Sequence, residues 1–546
     1  MKASYTYFIV VGAFVLMALS GLTVSYLAPY AGPSSDEIVY MTGALQARDH
    51  NLPDAYMLHG DDYGPYLYPK VLLASYGTLG YDLFKSIYVV VLILVTGLSA
   101  YAMFRMLWLP WVPALLFSLV ALMPRFAAGL EIFGAFTFRD AIGRQSALPL
   151  FFLATGFLVR RFVDKKSLWP VFGIIGLCVF LHPVTVMLFA FASLLALGIA
   201  RIVERRALWR VVVEVLVCGI TFVLGGAYLF VEVFARLFAG AAVGASSSTY
   251  IQAVLLRNAW DFPQGSLLWW PHMAIVSALF VLVLLAFYAL PRLRAVRLAY
   301  PMPHSQTIVV WGLSVAVVAL VASVALPGIN FYFMEHSGAP YIFQQWSRIA
   351  KFYYFGLFVA LIPAVYAGWH WYRASRARFK VAVLVVLVVA GLLSSSFGFE
   401  VAQYVVGYKD YERAYIPQAL SGAPDATRPA QYQEACDALM RLGAKPDDEI
   451  ISGNFAFRFF CRANLYVTNE EGAAYTQLTR DDLTDWYTRL EAQREAFKGG
   501  NPAKAFAFVR QVGAKFAILL DTATTTSFKS PKNSITTSRY IVVRVP

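Results

Sequence analysis

Residues 83–104 read LFKSIYVVVLILVTGLSAYAMF, and this run decides the fold class. A helix needs about 20 predominantly apolar residues to cross the roughly 30 Å hydrocarbon core of a bilayer. Working outward, comparable runs occupy 6–28, 108–124, 146–162, 168–182, 184–201, 209–232, 272–291, 306–326, 352–371 and 380–397, about eleven candidate spans in all. The 546-residue chain is 59% hydrophobic and 14% charged, with mean hydropathy +0.60. A soluble chain carries nearer ~25% charged residues. The expected fold class is therefore an α-helical polytopic membrane protein over 1–397, followed by a small extracytoplasmic α/β region over 398–546.

The net charge of +13 invites a nucleic-acid reading, but its distribution argues against one. The cations gather in short loops: Arg160, Arg161, Lys165, Lys166; then Arg201, Arg205, Arg206, Arg210; then Arg292, Arg294, Arg297; then Arg373, Arg376, Arg378, Lys380. With eleven spans all four loops fall on one face, which the positive-inside rule makes cytoplasmic. Nucleic acid is thereby excluded as a partner, and a lipid bilayer is required. The run Tyr7 to Leu27 is longer than a signal-peptide core and follows a single cation, Lys2. Despite the cleavage-like Ala18-Leu19-Ser20, it reads as a retained first helix with a cytoplasmic N-terminus. The chain is expected to lie in an inner or plasma membrane.

The other face receives the longer segments 29–82, 125–145, 233–271 and 327–351, together with the C-terminal region. They hold most of the acids, histidines, tryptophans and tyrosines of the membrane half, so chemistry is expected there. After the polar linker Gln418 to Pro429, Gln431–Leu442, Trp486–Phe497 and Pro502–Val512 read as helices, and Gly443 as a stop. Glu449–Ile451, Leu465–Val467, Lys515–Leu520 and Arg539–Val545 read as strands. Cys178 and Cys218 fall inside apolar runs; Cys436 and Cys461 fall in the C-terminal region, where an extracytoplasmic setting permits a disulfide.

The first outer segment begins Gly32-Pro33-Ser34-Ser35-Asp36-Glu37-Ile38-Val39-Tyr40. Ser35 suits a helix cap, and Asp36 and Glu37 suit the positive end of the helix dipole. A helix over 36–50 with Ile38, Val39, Met41 and Leu45 on apolar positions is expected along the membrane surface. These acids have a plain structural reading, the start of a helix, and a catalytic one. Further on, His59-Gly60-Asp61-Asp62-Tyr63-Gly64-Pro65-Tyr66-Leu67-Tyr68-Pro69 reads either as a polar turn or as an aromatic-lined wall for a sugar or a metal. Arg139, Arg144, Arg348 and Lys351 are cations on the face that should be poor in them. They either snorkel to the interface or grip a lipid phosphate, which the arginine fork matches. Trp346 lies beside the last pair. Within the bilayer the only carboxylates are Glu214 and Glu232, near opposite ends of one run. Ion-coupled transport favours ionisable groups near the midplane, so it is disfavoured here.

This layout resembles the GT-C glycosyltransferases, a superfamily to which the protein O-mannosyltransferases belong. The likeness is carried by Ser35-Asp36-Glu37-Ile38-Val39-Tyr40, by the helix that follows to His50, and by Tyr66-Leu67-Tyr68-Pro69-Lys70 before the next span. The proline pair usual there is replaced by Gly64-Pro65 and Tyr68-Pro69. The resemblance implies a sugar moved from a polyprenyl-phosphate donor to a hydroxyl of a glycan or lipid acceptor, with inversion at the anomeric carbon. It implies Asp36 as general base, with Glu37 as second choice or positioning partner. Arg139, Arg144, Arg348 and Lys351 would bind the donor phosphate. His59, Asp61, Asp62, Tyr66, Tyr68 and Trp346 would bind substrate, and a divalent cation, magnesium or manganese, would be held by Asp61 and Asp62 if by any residue. The alternatives are a polymerase or ligase of lipid-linked glycans, a transporter, and a non-catalytic assembly protein that keeps the fold.

Overall fold

The computed structural model describes residues 2–27, 35–48, 67–127, 131–135, 143–231, 248–257, 269–289, 295, 297–337, 346–374, 395, 429–468, 480–522, 525–529 and 532–545. Seven of its helices are long and apolar enough to cross a membrane: Tyr5–Leu22, Leu83–Met106, Arg144–Val163, Pro183–Val203, Leu208–Gly225, Ser305–His336 and Trp346–Ala374. Three shorter apolar helices, Trp111–Leu122, Trp169–Leu181 and His272–Leu285, lie among them. The chain is a multi-pass membrane protein with a small C-terminal sheet.

In chain order the helices are α1 (Lys2–Leu27), α2 (Ser35–Arg48), α3 (Leu67–Leu79), α4 (Tyr81–Met106), α5 (Trp111–Leu122), α6 (Gly143–Ser146), α7 (Leu148–Val163), α8 (Trp169–Leu177), α9 (Pro183–Val203), α10 (Leu208–Gly225), α11 (Ser248–Arg257), α12 (Trp269–Ala289), α13 (Ser305–Ser337) and α14 (Lys351–Ala374). Three expectations change. The run 108–124 yields only the 12 residues of α5, too short to cross the core alone. Pro110 caps its start, and Trp108 just before it has φ 63, which no helix admits. The run 168–182 is broken, nine residues of α8 passing into a 3-10 turn at Cys178–Leu181. The segment 327–351 is not all loop, because α13 continues through Pro327 to Ser337. The run 380–397 lies outside the described residues.

The membrane core is aromatic and tightly closed. Phe133, at the end of a short hairpin (β1, Arg125–Ala127; β2, Glu131–Phe133), stacks on Phe358 and meets Phe152, Tyr354 and Phe355. Aromatic pairs of this kind add about 0.5–1.5 kcal/mol beyond their buried area. Buried Arg125 donates from Nη1 to the carbonyls of Val120 and Met123 and lies 4.9 Å from the Phe358 ring centre. Helices α13 and α14 approach closely. A Cβ on Gly312 would meet Gly356 O at 2.6 Å, so the two backbones touch where neither carries a side chain. At the cation-rich end, buried Arg201 forks onto Glu214 at 2.9 and 3.0 Å and onto Glu204 at 3.0 Å, fastening α9 to α10.

The C-terminal region has helices α15 (Pro429–Arg441), α16 (Ala456–Phe460), α17 (Arg480–Phe497) and α18 (Pro502–Gln511). Its five strands are β3 (Glu449–Ser452), β4 (Asn464–Leu465), β5 (Phe516–Leu520), β6 (Ser534–Thr536) and β7 (Tyr540–Arg544), in the order β4-β3-β5-β7-β6. β3 runs parallel to β4 and β5, and β7 antiparallel to β5 and β6. Gly443 ends α15 with φ +85, as its composition suggests. Cys436 and Cys461 are joined, with Cα atoms 5.1 Å apart. The Lys515 ammonium and the backbone N–H of Lys445 both donate to Asp448 and hold its carboxyl below the usual range.

This region is seated on the membrane part at two places. Ile38 and Met41 of α2 and Leu72 of α3 share one apolar cluster with Tyr432, Leu439, Phe457 and Phe516. Tyr250, Val254 and Met334 share another with Leu483, Trp486 and Leu490 of α17. The second takes in the far end of α13. Its 33 residues span roughly 50 Å at 1.5 Å each, well beyond the ~30 Å core, and its far end carries Met334 to α17.

Candidate functional site

The site grows from the first turn of α2. Ser35 opens that helix, and Asp36 and Glu37 follow where the dipole favours carboxylates. Glu37 is buried, and Lys85 Nζ donates to its Oε1 at 2.6 Å. Lys85 belongs to the second turn of α4, itself one of the long apolar helices. One turn further along α4, the Tyr88 hydroxyl and the Ser146 hydroxyl lie 3.3 Å apart. Ser146 ends α6, which carries half-buried Arg144 and buried Gln145. Two successive turns of α4 therefore hold the carboxylate helix and an arginine-bearing segment.

A second polar group lies where α9 meets α14. Lys351, buried at the start of α14, donates from Nζ to Thr185 Oγ1 at 3.2 Å. The Thr185 backbone N–H donates to His182 Nδ1 at 3.2 Å, so the imidazole caps α9, with Pro183 in the first helical turn. The acceptor role of Nδ1 assigns the ring proton to Nε2. Arg348 is half-buried in the 3-10 turn Trp346–Ala350, and Trp346 sets its ring edge-on to Phe191 at 4.9 Å. The turn Cys178–Leu181, which leads into His182, contacts α3, α6 and α9.

Of the residues the sequence singled out, Glu37, Arg144, Trp346, Arg348 and Lys351 are placed with their side chains. Asp36 and Tyr68 are placed by their helical backbones, in α2 and α3. His59, Asp61, Asp62, Tyr66 and Arg139 lie outside the described residues. Among the described residues no three histidine, cysteine or acidic side chains converge as a metal site. Sequence reasoning missed Lys85, Tyr88, Ser146 and Thr185. Lys85 did leave a signal, an ionisable residue inside an apolar run, which is rare unless it is paired or functional.

No family model matches the chain, and no curated protein matches it. Among solved structures it is similar to ArnT from Cupriavidus metallidurans bound to undecaprenyl phosphate, with 13% identity, 98% of each chain covered and TM-score 0.46. The apo state of that protein gives 14% identity, 100% of this chain and 98% of that one, and TM-score 0.46. The Archaeoglobus fulgidus oligosaccharyltransferase tethered with an acceptor peptide gives 11% identity, 93% of this chain and 69% of that one, and TM-score 0.39.

Proposed function

We propose that this chain is a membrane glycosyltransferase that moves a sugar from a polyprenyl-phosphate donor to an acceptor hydroxyl on the face opposite its cation-rich loops. The observation that carries the reading is the tie from Glu37 through Lys85 and from Tyr88 to Ser146, which holds an acidic helix start beside an arginine-bearing segment. A surface helix with no chemical duty gains little from being fixed to a spanning helix by a buried ion pair, since such pairs are weak contributors to net stability.

In this mechanism the acceptor oxygen attacks the anomeric carbon while Asp36 takes its proton. The bond from that carbon to the phosphate oxygen breaks on the opposite side, so the configuration inverts. Polyprenyl phosphate leaves as an anion, and preorganised cations must meet its growing charge. Arg139, Arg144, Arg348 and Lys351 are the candidates. His59, Asp61, Asp62, Tyr66, Tyr68 and Trp346 would line the sugar and acceptor. A magnesium or manganese ion, if bound, would supply further charge at the phosphate, and Asp61 with Asp62 would hold it.

The test is turnover of a panel of polyprenyl-phosphate sugars by the purified protein and by Asp36→Asn, which keeps size and hydrogen bonding but removes the base. The expected result is consumption of one donor by the wild type and a loss of ~10²-fold or more in the folded variant. Full activity in Asp36→Asn would move the base elsewhere. No turnover of any donor by folded wild type would overturn the donor class.

A further inference from the structure

We infer that Lys85 is a positioning residue, whose ion pair with Glu37 sets the placement of the carboxylate turn of α2; the functional half of this inference rests on the transfer reading above. A helix of 14 residues is marginal alone, so α2 takes its place from its neighbours. Its apolar neighbours are α3, through Leu72, and the C-terminal region, which together cover Ile38 and Met41. That contact is apolar, and apolar contact is non-directional. It fixes which face of α2 is buried and constrains rotation and sliding less sharply than a hydrogen bond does.

A directional restraint comes from α4. Lys85 Nζ meets Glu37 Oε1 at 2.6 Å, with the two side chains 15% and 1% exposed. Its helix α4 is 26 residues long and packs on α1, α5 and α7, which makes a stiff reference frame. The same stretch of α4 holds Ser146 through Tyr88, and so holds the segment bearing Arg144. Two turns of one helix thus set the distance between the proposed base and a proposed phosphate ligand. Glu37 itself is closed to an acceptor, because a general base must come within hydrogen-bond reach of the hydroxyl it deprotonates. Glu37 acts through its pairing, which leaves the proton transfer to its neighbour Asp36.

The experiment compares wild type, Lys85→Met and the charge swap Lys85→Glu/Glu37→Lys. It reads amide hydrogen exchange over 35–48 together with kcat and KM for the donor. Lys85→Met is expected to speed exchange across 35–48 by about tenfold or more while the middle of α4 is unchanged, and the swap to restore protection. It should lower kcat by up to about 10²-fold with donor KM little altered, as a misplaced catalytic group does. Unchanged exchange over 35–48 would overturn the positioning role. A raised donor KM with kcat kept would also overturn it, by making Lys85 a ligand contact. If wild type turns over no donor, the transfer reading fails, and the exchange measurement still decides whether Lys85 positions α2.

Discussion

Lys351 reaches Thr185 across 166 positions of sequence, and Lys85 reaches Glu37 across 48. No periodic pattern links residues so far apart. That is why the site's cations and acids were legible as types in the sequence while their partners were not. Lys351 and Arg348 stood out by lying on the cation-poor face, whereas Thr185 is one hydroxyl in an apolar run and carries no such mark. Thr185→Val keeps the shape and removes an acceptor of the buried ammonium. It should cost about 1–3 kcal/mol, read as a lower midpoint of thermal unfolding in detergent. A second residue-scale expectation concerns Asp448. Its carboxyl is held low by Lys515 and by the Lys445 amide, so the folded state binds its proton less readily than the unfolded state does. Stability from this group is present above the ordinary aspartate pKa near ~4 and is lost as pH falls through the lower folded value. Unfolding followed from pH 6 to 2 should therefore show a shallower acid limb in Asp448→Asn than in wild type. The Lys515 side chain is 65% exposed, so salt should reduce the difference.

At the scale of elements, hydropathy located the spans well where helix and bilayer lengths agree, as at Leu83–Met106 and Pro183–Val203. It failed where backbone breaks and tertiary contacts set the ends. Trp108 and Pro110 cut α5 short, and α13 runs past Pro327 to an apolar cluster that also holds Trp486. In the C-terminal region the helices Pro429–Arg441 and Pro502–Gln511 and the strand Phe516–Leu520 match their sequence reading within two residues. The five-residue α16 and the strand Ser534–Thr536 were not legible, since each is too short to show a period. The α13–α14 contact supplies a test of packing. A Cβ on Gly356 would meet Ala316 N at 2.5 Å, whereas one on Gly368 in the same helix would meet nothing within 4 Å. Gly356→Leu should lower stability by about 1–3 kcal/mol or more, while Gly368→Ala should be neutral or slightly stabilising; both are read by thermal unfolding in the same detergent.

Across the whole molecule, the proposed function requires the acidic helix start and the C-terminal sheet to share one face and the cation-rich loops to lie on the other. The Cys436–Cys461 bond fits that division, because such bonds persist in oxidising compartments. It closes a loop of 25 positions, and opening it with Cys461→Ser should cost the C-terminal region about 3–4 kcal/mol by chain entropy, read as a lowered unfolding midpoint that reductant no longer shifts. The proposed transfer takes place on the face bearing α2 and this region, away from Lys165 and Arg205. The most direct test is transfer in sealed proteoliposomes whose orientation is fixed by labelling a single cysteine placed at Lys165, with donor in the bilayer and an impermeant acceptor on one side only. Product is expected when the acceptor shares the compartment of the C-terminal region, and none when it shares the compartment of Lys165. Product formed only on the Lys165 side would contradict it.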